Sequence, residues 1–224
     1  MILLRAVLLA VLVALVVPFS PAAAQKVTIK DSGGAGDVWD QVWSYESEEP
    51  THTEAGSVPN ADVVRTTVTY TADLVRVKLT YVDLQEPATW FPMQVSSWLR
   101  LAGGGGALFW ASVEEGKQYY GFFTDETAKP GGKIRQKRCA GMKADFDTRR
   151  DVATVTVPAS CLPGDPAWVK YHGLTSSTEI DPENPEGLRL HSWIDNVTDD
   201  SYEVDTNKRD CFWTCSGWTK VRRG

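Results

Sequence analysis

Residues 62–84 read DVVRTTVTYTADLVRVKLTYVDL, two alternating runs that meet at a short turn. In the first run Val64, Thr66, Val68 and Tyr70 share one face, and in the second Val75, Val77, Leu79 and Tyr81 do. Arg76, Lys78 and Thr80 fall opposite. A period of two in β-branched and aromatic residues is the signature of a half-buried strand, and two such runs across Ala72 and Asp73 predict an antiparallel hairpin. The turn lacks the favoured Asn-Gly. Register is nonetheless determined, because a slip of one residue would bury Arg76 and Lys78.

Outward from this hairpin the chain keeps the same rhythm. Strands are predicted at Met93–Leu101, Ala107–Val113, Tyr119–Thr124, Ile134–Cys139, Val152–Val157 and Trp168–His172, separated by the Gly103–Gly106 run, the Pro130-Gly131-Gly132 turn and Asp147–Asp151. No stretch after the N-terminal leader has a sustained helical period. The expectation is an all-β fold, a two-sheet antiparallel β-sandwich of jelly-roll or immunoglobulin-like type. Ser44–Asn60 and Thr175–Gly187 are weakly patterned and read as surface loops, with an irregular C-terminal extension from about residue 175. The glycine run is not a phosphate loop, since no Lys-Ser/Thr pair and no helix follow it.

The first 24 residues, MILLRAVLLAVLVALVVPFSPAAA, set the compartment. Arg5 precedes an apolar run from Ala6 to Val17, Pro18 ends it, and Ala22-Ala23-Ala24 offers a cleavage site, the pattern of a signal peptide followed by one domain over 25–224. The run is short for a membrane span and ends in proline and small residues rather than basic ones. Removal of residues 1–24 leaves 200 residues and takes the formal charge from −6 to −7, because Arg5 is the leader's single charge. That acidity keeps the domain soluble and repels nucleic acid. In an exported chain the four cysteines are expected as disulfides, and three pairings exist. Cys139 with Cys161 flanks a predicted hairpin, and Cys211 with Cys215 is a short local loop, so these pairings are favoured; zinc ligation would want paired short spacings plus histidine, and one short pair occurs.

Candidate chemistry is sparse. His52, His172 and His191 lie in no catalytic string, and neither G-x-S-x-G nor H-E-x-x-H occurs. The plentiful acids fall mostly in predicted loops, where solvated charge explains them better than a glycosidase pair. A sharper group is Asp31, Asp37 and Asp40 in DSGGAGDVWD, where glycines let the chain curl and present oxygens to calcium. The spacing is not that of an EF-hand. A second acidic run, Asp195–Asp205, adds ligands if the two ends of the domain meet. Within that run Asn196-Val197-Thr198 matches a glycosylation sequon but reads as a polar turn.

Nine tryptophans give the best functional leverage. Trp98 is out of phase with Val95, Leu99 and Leu101, so its ring points away from the core when they face inward. Trp213 and Trp218 flank the Cys211–Cys215 loop. An outward planar ring stacks on a sugar face or on another protein with little entropy lost.

The string TVPASCLPGDPAWVKY, Thr156–Tyr171, together with DSGGAGDVWD, the ADVVRTTVTYT hairpin and a cysteine upstream of the V-P-x-S-C-L turn, resembles a group of secreted actinobacterial β-sandwich proteins. The resemblance spans roughly residues 30–172 and stops before Cys211-Phe212-Trp213-Thr214-Cys215. It implies an extracellular sandwich broadly like carbohydrate-binding modules, with Cys139 as the upstream partner of Cys161 and no catalytic residue. The expected function is a secreted, non-catalytic, cell-envelope-associated module. It would bind polysaccharide or an envelope protein through Trp98, Trp213 and Trp218. The alternatives are a secreted hydrolase with dispersed acids and a calcium-stiffened structural domain.

Overall fold

A computed structural model describes residues 24–31, 34–44, 50–86, 93–114, 116–125, 134–180, 189–198 and 217–224. These residues build two antiparallel sheets. The smaller is ordered β1 (Gln25–Lys30), β4 (Val63–Tyr70), β5 (Leu74–Tyr81), β11 (Val152–Pro158), β10 (Lys143–Asp147). The larger is ordered β3 (Thr51–Gly56), β2 (Val38–Ser44), β13 (Arg189–Asp195), β12 (Trp168–Ile180), β6 (Met93–Leu101), β7 (Gly106–Glu114), β8 (Lys117–Asp125), β9 (Arg135–Gln136). β14 (Thr219–Arg222) pairs with the first part of β12. No helix among the described residues is long and apolar enough to cross a membrane.

The hairpin of residues 62–84 is β4–β5, and its second strand behaves as the alternation requires: Val75, Val77, Leu79 and Tyr81 are all buried. In β4 the core takes Thr66, Val68 and Tyr70, but Val63 in place of Val64. A β-bulge between Val63 and Arg65 advances the register by one residue there, which turns Val63 inward. Thr71 does the work of the missing Asn-Gly. Its hydroxyl accepts the N–H groups of Asp73 and Leu74, each at 3.1 Å, and its own N–H donates to Leu74 O at 2.9 Å.

Val68, Val77, Leu79 and Val155 of the small sheet pack with Val95, Leu99, Phe109, Val169 and Tyr171 of the large one in a single core. Full burial of each such side chain contributes about 1.5–3 kcal/mol, which makes this layer the main stabilising contact of the sandwich. Cys139 and Cys161 are bonded, with Cα atoms 5.5 Å apart. The bond spans the β10–β11 hairpin and ties the chain after β9, at the edge of the large sheet, to the end of β11 in the small one. Cys211 and Cys215 lie outside the described residues, as do the leader up to residue 23, Trp90 and Trp213.

Several elements depart from the sequence expectation. Residues beyond 175 are not irregular throughout, since β12 continues to Ile180 and both β13 and β14 pair with it. β13 (RLHSWID) shows no alternation because both of its faces carry polar groups, which cross-strand partners satisfy. β3 (THTEAG) lies within the stretch expected to be a loop and forms an edge strand of mostly small or polar residues. The expected strand at Ile134–Cys139 contracts to the two residues of β9, while β10, β1 and β2 were not anticipated.

Candidate functional site

Alternation along the large sheet leaves one face to the core and sends the opposite residues of every strand outward. In β6 the core takes Met93, Val95, Leu99 and Leu101, so Trp98 and Arg100 project from the other face, as the phase argument requires. Cross-strand register then builds a row. Trp98 lies opposite His172 in β12 and opposite Leu108 in β7, and Leu108 lies opposite Phe123 in β8. At one end of the row the His172 ring sits between two indoles, with centroids 5.7 Å from Trp98 and 5.5 Å from Trp218. His172 Nδ1 is 2.7 Å from the Thr198 hydroxyl, and the Arg100 guanidinium lies 4.2 Å above Trp218. Trp98 and Trp218, far apart in sequence, therefore meet across one imidazole.

The same face carries more indoles. Trp110 of β7 faces outward opposite Gly121, and a Cβ on Gly121 would fall 2.1 Å from Trp110 Nε1 and 2.4 Å from Cε2. The indole thus lies flat across the neighbouring strand, in a space that only glycine leaves open. Trp168 is half-buried beneath the Lys220 ammonium, which is 4.4 Å from the ring centroid. Trp39 and Trp43 of β2 stand on the same side, cross-strand from Ile194 and Leu190, and Trp43 is 41% exposed. Six of the nine tryptophans belong to this face. Trp193 points the other way and stacks on His191 at 5.8 Å with 21° between the planes.

The outer face of the small sheet is chemically opposite. Lys26, Lys30, Arg65, Arg76 and Lys78 stand among threonines around a shallow depression of about 710 Å³. Its lining contains no carboxylate, although the chain as a whole is acidic. Flat alternation with Thr and Lys/Arg on the wet side explains the pattern, and the result is a cationic surface.

Carboxylates gather at one end of the sandwich. Asp31 follows β1, Asp37 precedes β2 and Asp195 ends β13, and one oxygen from each lies within 4.8 Å of the others. Asp195 Oδ2 accepts the Val63 N–H at 2.6 Å. Asp62, which precedes Val63 in sequence, accepts the Gly36 N–H at 2.9 Å. Burial pushes Asp195 up to a pKa of about 9; the Val63 N–H opposes this, and Asp31, Asp37 and Asp62 reinforce it by charge repulsion. Asp40 is not in this group: its Oδ2 is 2.7 Å from His191 Nδ1. The sequence placed Asp31 and Asp37 together and named Asp195 as the start of a run that would join them.

Fold and surfaces together define a disulfide-bonded antiparallel β-sandwich with an aromatic outer face on one sheet and a cationic one on the other. Compared with known proteins, the chain matches no family model, no curated protein and no solved structure.

Trp110, Trp168, Trp39 and Trp43 were not singled out by the sequence. In β7 (GALFWASVE) both parities are apolar, so nothing in the string says which aromatic faces inward.

Proposed function

We propose that the protein is a secreted, non-catalytic binding module that holds an extended polysaccharide across the aromatic face of its large sheet and associates with the acidic cell envelope through its cationic face. The observation that carries this reading is the set of indoles on the outer face, Trp98 and Trp218 packed on either side of the buried His172 and Trp110 flat over Gly121. A pyranose presents an apolar face of C–H groups and a rim of hydroxyls. Flat indoles supply area for the first, and neighbouring Arg100, Gln94 and Lys170 supply hydrogen bonds for the second. A strand-ordered platform suits a polymer, because successive rings several ångströms apart meet successive sugars. The leader and the disulfide support an extracellular setting, where such polymers are found.

Two kinds of contact separate by salt. Stacking on indoles depends little on ionic strength, whereas attraction to the Lys/Arg face weakens as the Debye length shrinks. Pull-down on insoluble polysaccharides at 0.05 and 0.5 M salt, with Trp98→Ala, Trp110→Ala and a Lys26→Gln/Lys78→Gln pair, tests both. The tryptophan variants are expected to lose the salt-resistant fraction and the lysine pair the salt-sensitive one. Undiminished retention of both tryptophan variants would refute the aromatic site.

A further inference from the structure

We infer that Asp31, Asp37 and Asp195, with Asp62 beside them, form a calcium site that pins the two sheets of the sandwich together. This is independent of the polysaccharide reading. Asp31 and Asp62 flank β1 and β4 of the small sheet, and Asp37 and Asp195 flank β2 and β13 of the large one, so a single ion between them bridges both layers.

Proximity of acids alone would carry little weight, since acidic groups cluster on many surfaces. Here two of the four are buried: Asp195 is 0% exposed and Asp62 1%. Each spends one oxygen on a backbone N–H, that of Val63 or of Gly36. The second oxygen of each, Asp195 Oδ1 and Asp62 Oδ1, is sealed from solvent with no hydrogen-bond partner among the described residues. A sealed carboxylate oxygen without a donor is costly, and several like charges around it raise the cost further. A cation at the meeting point of Asp31, Asp37 and Asp195 gives the buried Asp195 carboxylate a partner and offsets the like charges around it, that of Asp62 included. Backbone hydrogen bonds fix the two buried carboxylates before the ion arrives, so little ordering remains to be done on binding.

The donor set selects the ion. All are hard carboxylate oxygens with no thiolate or imidazole, which disfavours zinc and copper. Calcium accepts six to eight oxygens at 2.3–2.6 Å in irregular geometry, and three converging carboxylates from separate segments suit it better than magnesium, which demands a tight octahedron and keeps its waters. Gly36, with φ of 96°, gives the backbone the curl that brings its N–H onto Asp62 and sets Asp37 beside the group.

The experiment is calorimetric titration of chelator-stripped protein with calcium chloride, paired with thermal melts in calcium, magnesium or EGTA, on wild type, Asp195→Asn and Asp37→Asn. One calcium per chain is expected, with a rise in melting temperature of about 5–10 °C at a hundredfold excess over Kd. Both variants should lose that rise. In EGTA, Asp195→Asn should melt at or above wild type, because the amide is neutral in both states and removes the cost of protonating a buried carboxylate on folding; a merely structural carboxylate would give a lower melting point. Should Asp195→Asn not fold, Asp37→Asn at a half-buried position decides the matter. Absence of calcium heat together with an unmoved melting temperature in the wild type would overturn the site, as would an undiminished calcium response in Asp37→Asn, and an equal response to magnesium would overturn the choice of ion.

Discussion

Gly121→Ala tests whether the aromatic face is a built platform or a scatter of surface rings. An ideal Cβ at residue 121 would stand 2.1, 2.4 and 2.9 Å from Nε1, Cε2 and Cζ2 of Trp110. Non-bonded heavy atoms settle at about 3.5–4.0 Å, so the ring must retreat by roughly 1.5 Å. The backbone has little freedom to share that movement, because Gly121 sits mid-strand in β8 and is paired with Trp110 in β7. Overpacking of this kind costs about 1–3 kcal/mol, and in a chain of this length each kcal/mol lowers the melting temperature by about 2–4 °C. The expected fall is therefore about 2–12 °C, with greater quenching of tryptophan emission as the indole lifts from the sheet. A double-mutant cycle isolates the cause: once Trp110 is alanine, adding Gly121→Ala should cost almost nothing. An equal loss in both backgrounds would show that residue 121 matters for some other reason, and an unchanged melt and emission spectrum in the single variant would show that Trp110 does not lie over it.

Two further outcomes follow from the staple and from the buried acid. Replacement of both Cys139 and Cys161 by serine releases a closed loop of separation 22, worth about 3 kcal/mol on the chain-entropy model, and scanning calorimetry should find the melting temperature lower by about 6–12 °C. A fall smaller than 2 °C, about 1 kcal/mol or less, would mean that the bond constrains the unfolded chain far less than its loop predicts. In EGTA, stability should decline as pH rises: Asp195 keeps its proton in the folded state up to about pH 9, whereas the unfolded chain releases it near the ordinary carboxyl value of about 3.9. The folded state then binds the extra proton between those values, so this group's contribution is greatest below about pH 4 and is lost by up to about 1.4 kcal/mol per pH unit toward 9. Urea titrations at pH 5 to 8 should give a steeper decline for wild type than for Asp195→Asn, and parallel lines for the two would refute the assignment.

How far the sequence reaches depends on whether an element's two faces differ. β5 (LVRVKLTY) could be read residue by residue because Val and Leu alternate with Arg and Lys, and its buried set came out unaltered. β4 was legible except at its start, where a bulge at Val64 is a property of pairing with Tyr81 and Thr80 and leaves no trace in the string VVR. β13 and β3 were illegible for the opposite reason: both faces of RLHSWID and THTEAG are mixed, so no period of two exists to detect. Their strand character comes from neighbours, since β13 lies between β12 and β2 and takes its hydrogen bonds from both.

The two sites divide along the same line. That Trp98 turns from the core is a local matter of phase, which nine residues of β6 decide. That it meets Trp218 across His172 is a matter of β6 and β14 both pairing with β12, which joins residues 120 positions apart in the chain and which composition does not encode. The carboxylates make the point more sharply. Asp40 is nearer to Asp37 in sequence than Asp195 is, yet Asp40 rises within β2 to bond His191, while Asp37 remains in the turn before it. Strand geometry separates the near pair and sheet topology joins the distant one, because antiparallel pairing of β2 with β13 brings the start of one strand to the end of the other. Aspartates at the start of β2 and the end of β13 must therefore converge, and the adjoining ends of β1 and β4 bring Asp31 and Asp62 to the same edge. The same β2 that begins at this acidic end carries Trp39 and Trp43 on the aromatic face. An ion that fixes the start of β2 accordingly fixes one flank of the platform, while Trp98 and Trp218, three strands away and held by β6, β12 and β14, keep their positions without it.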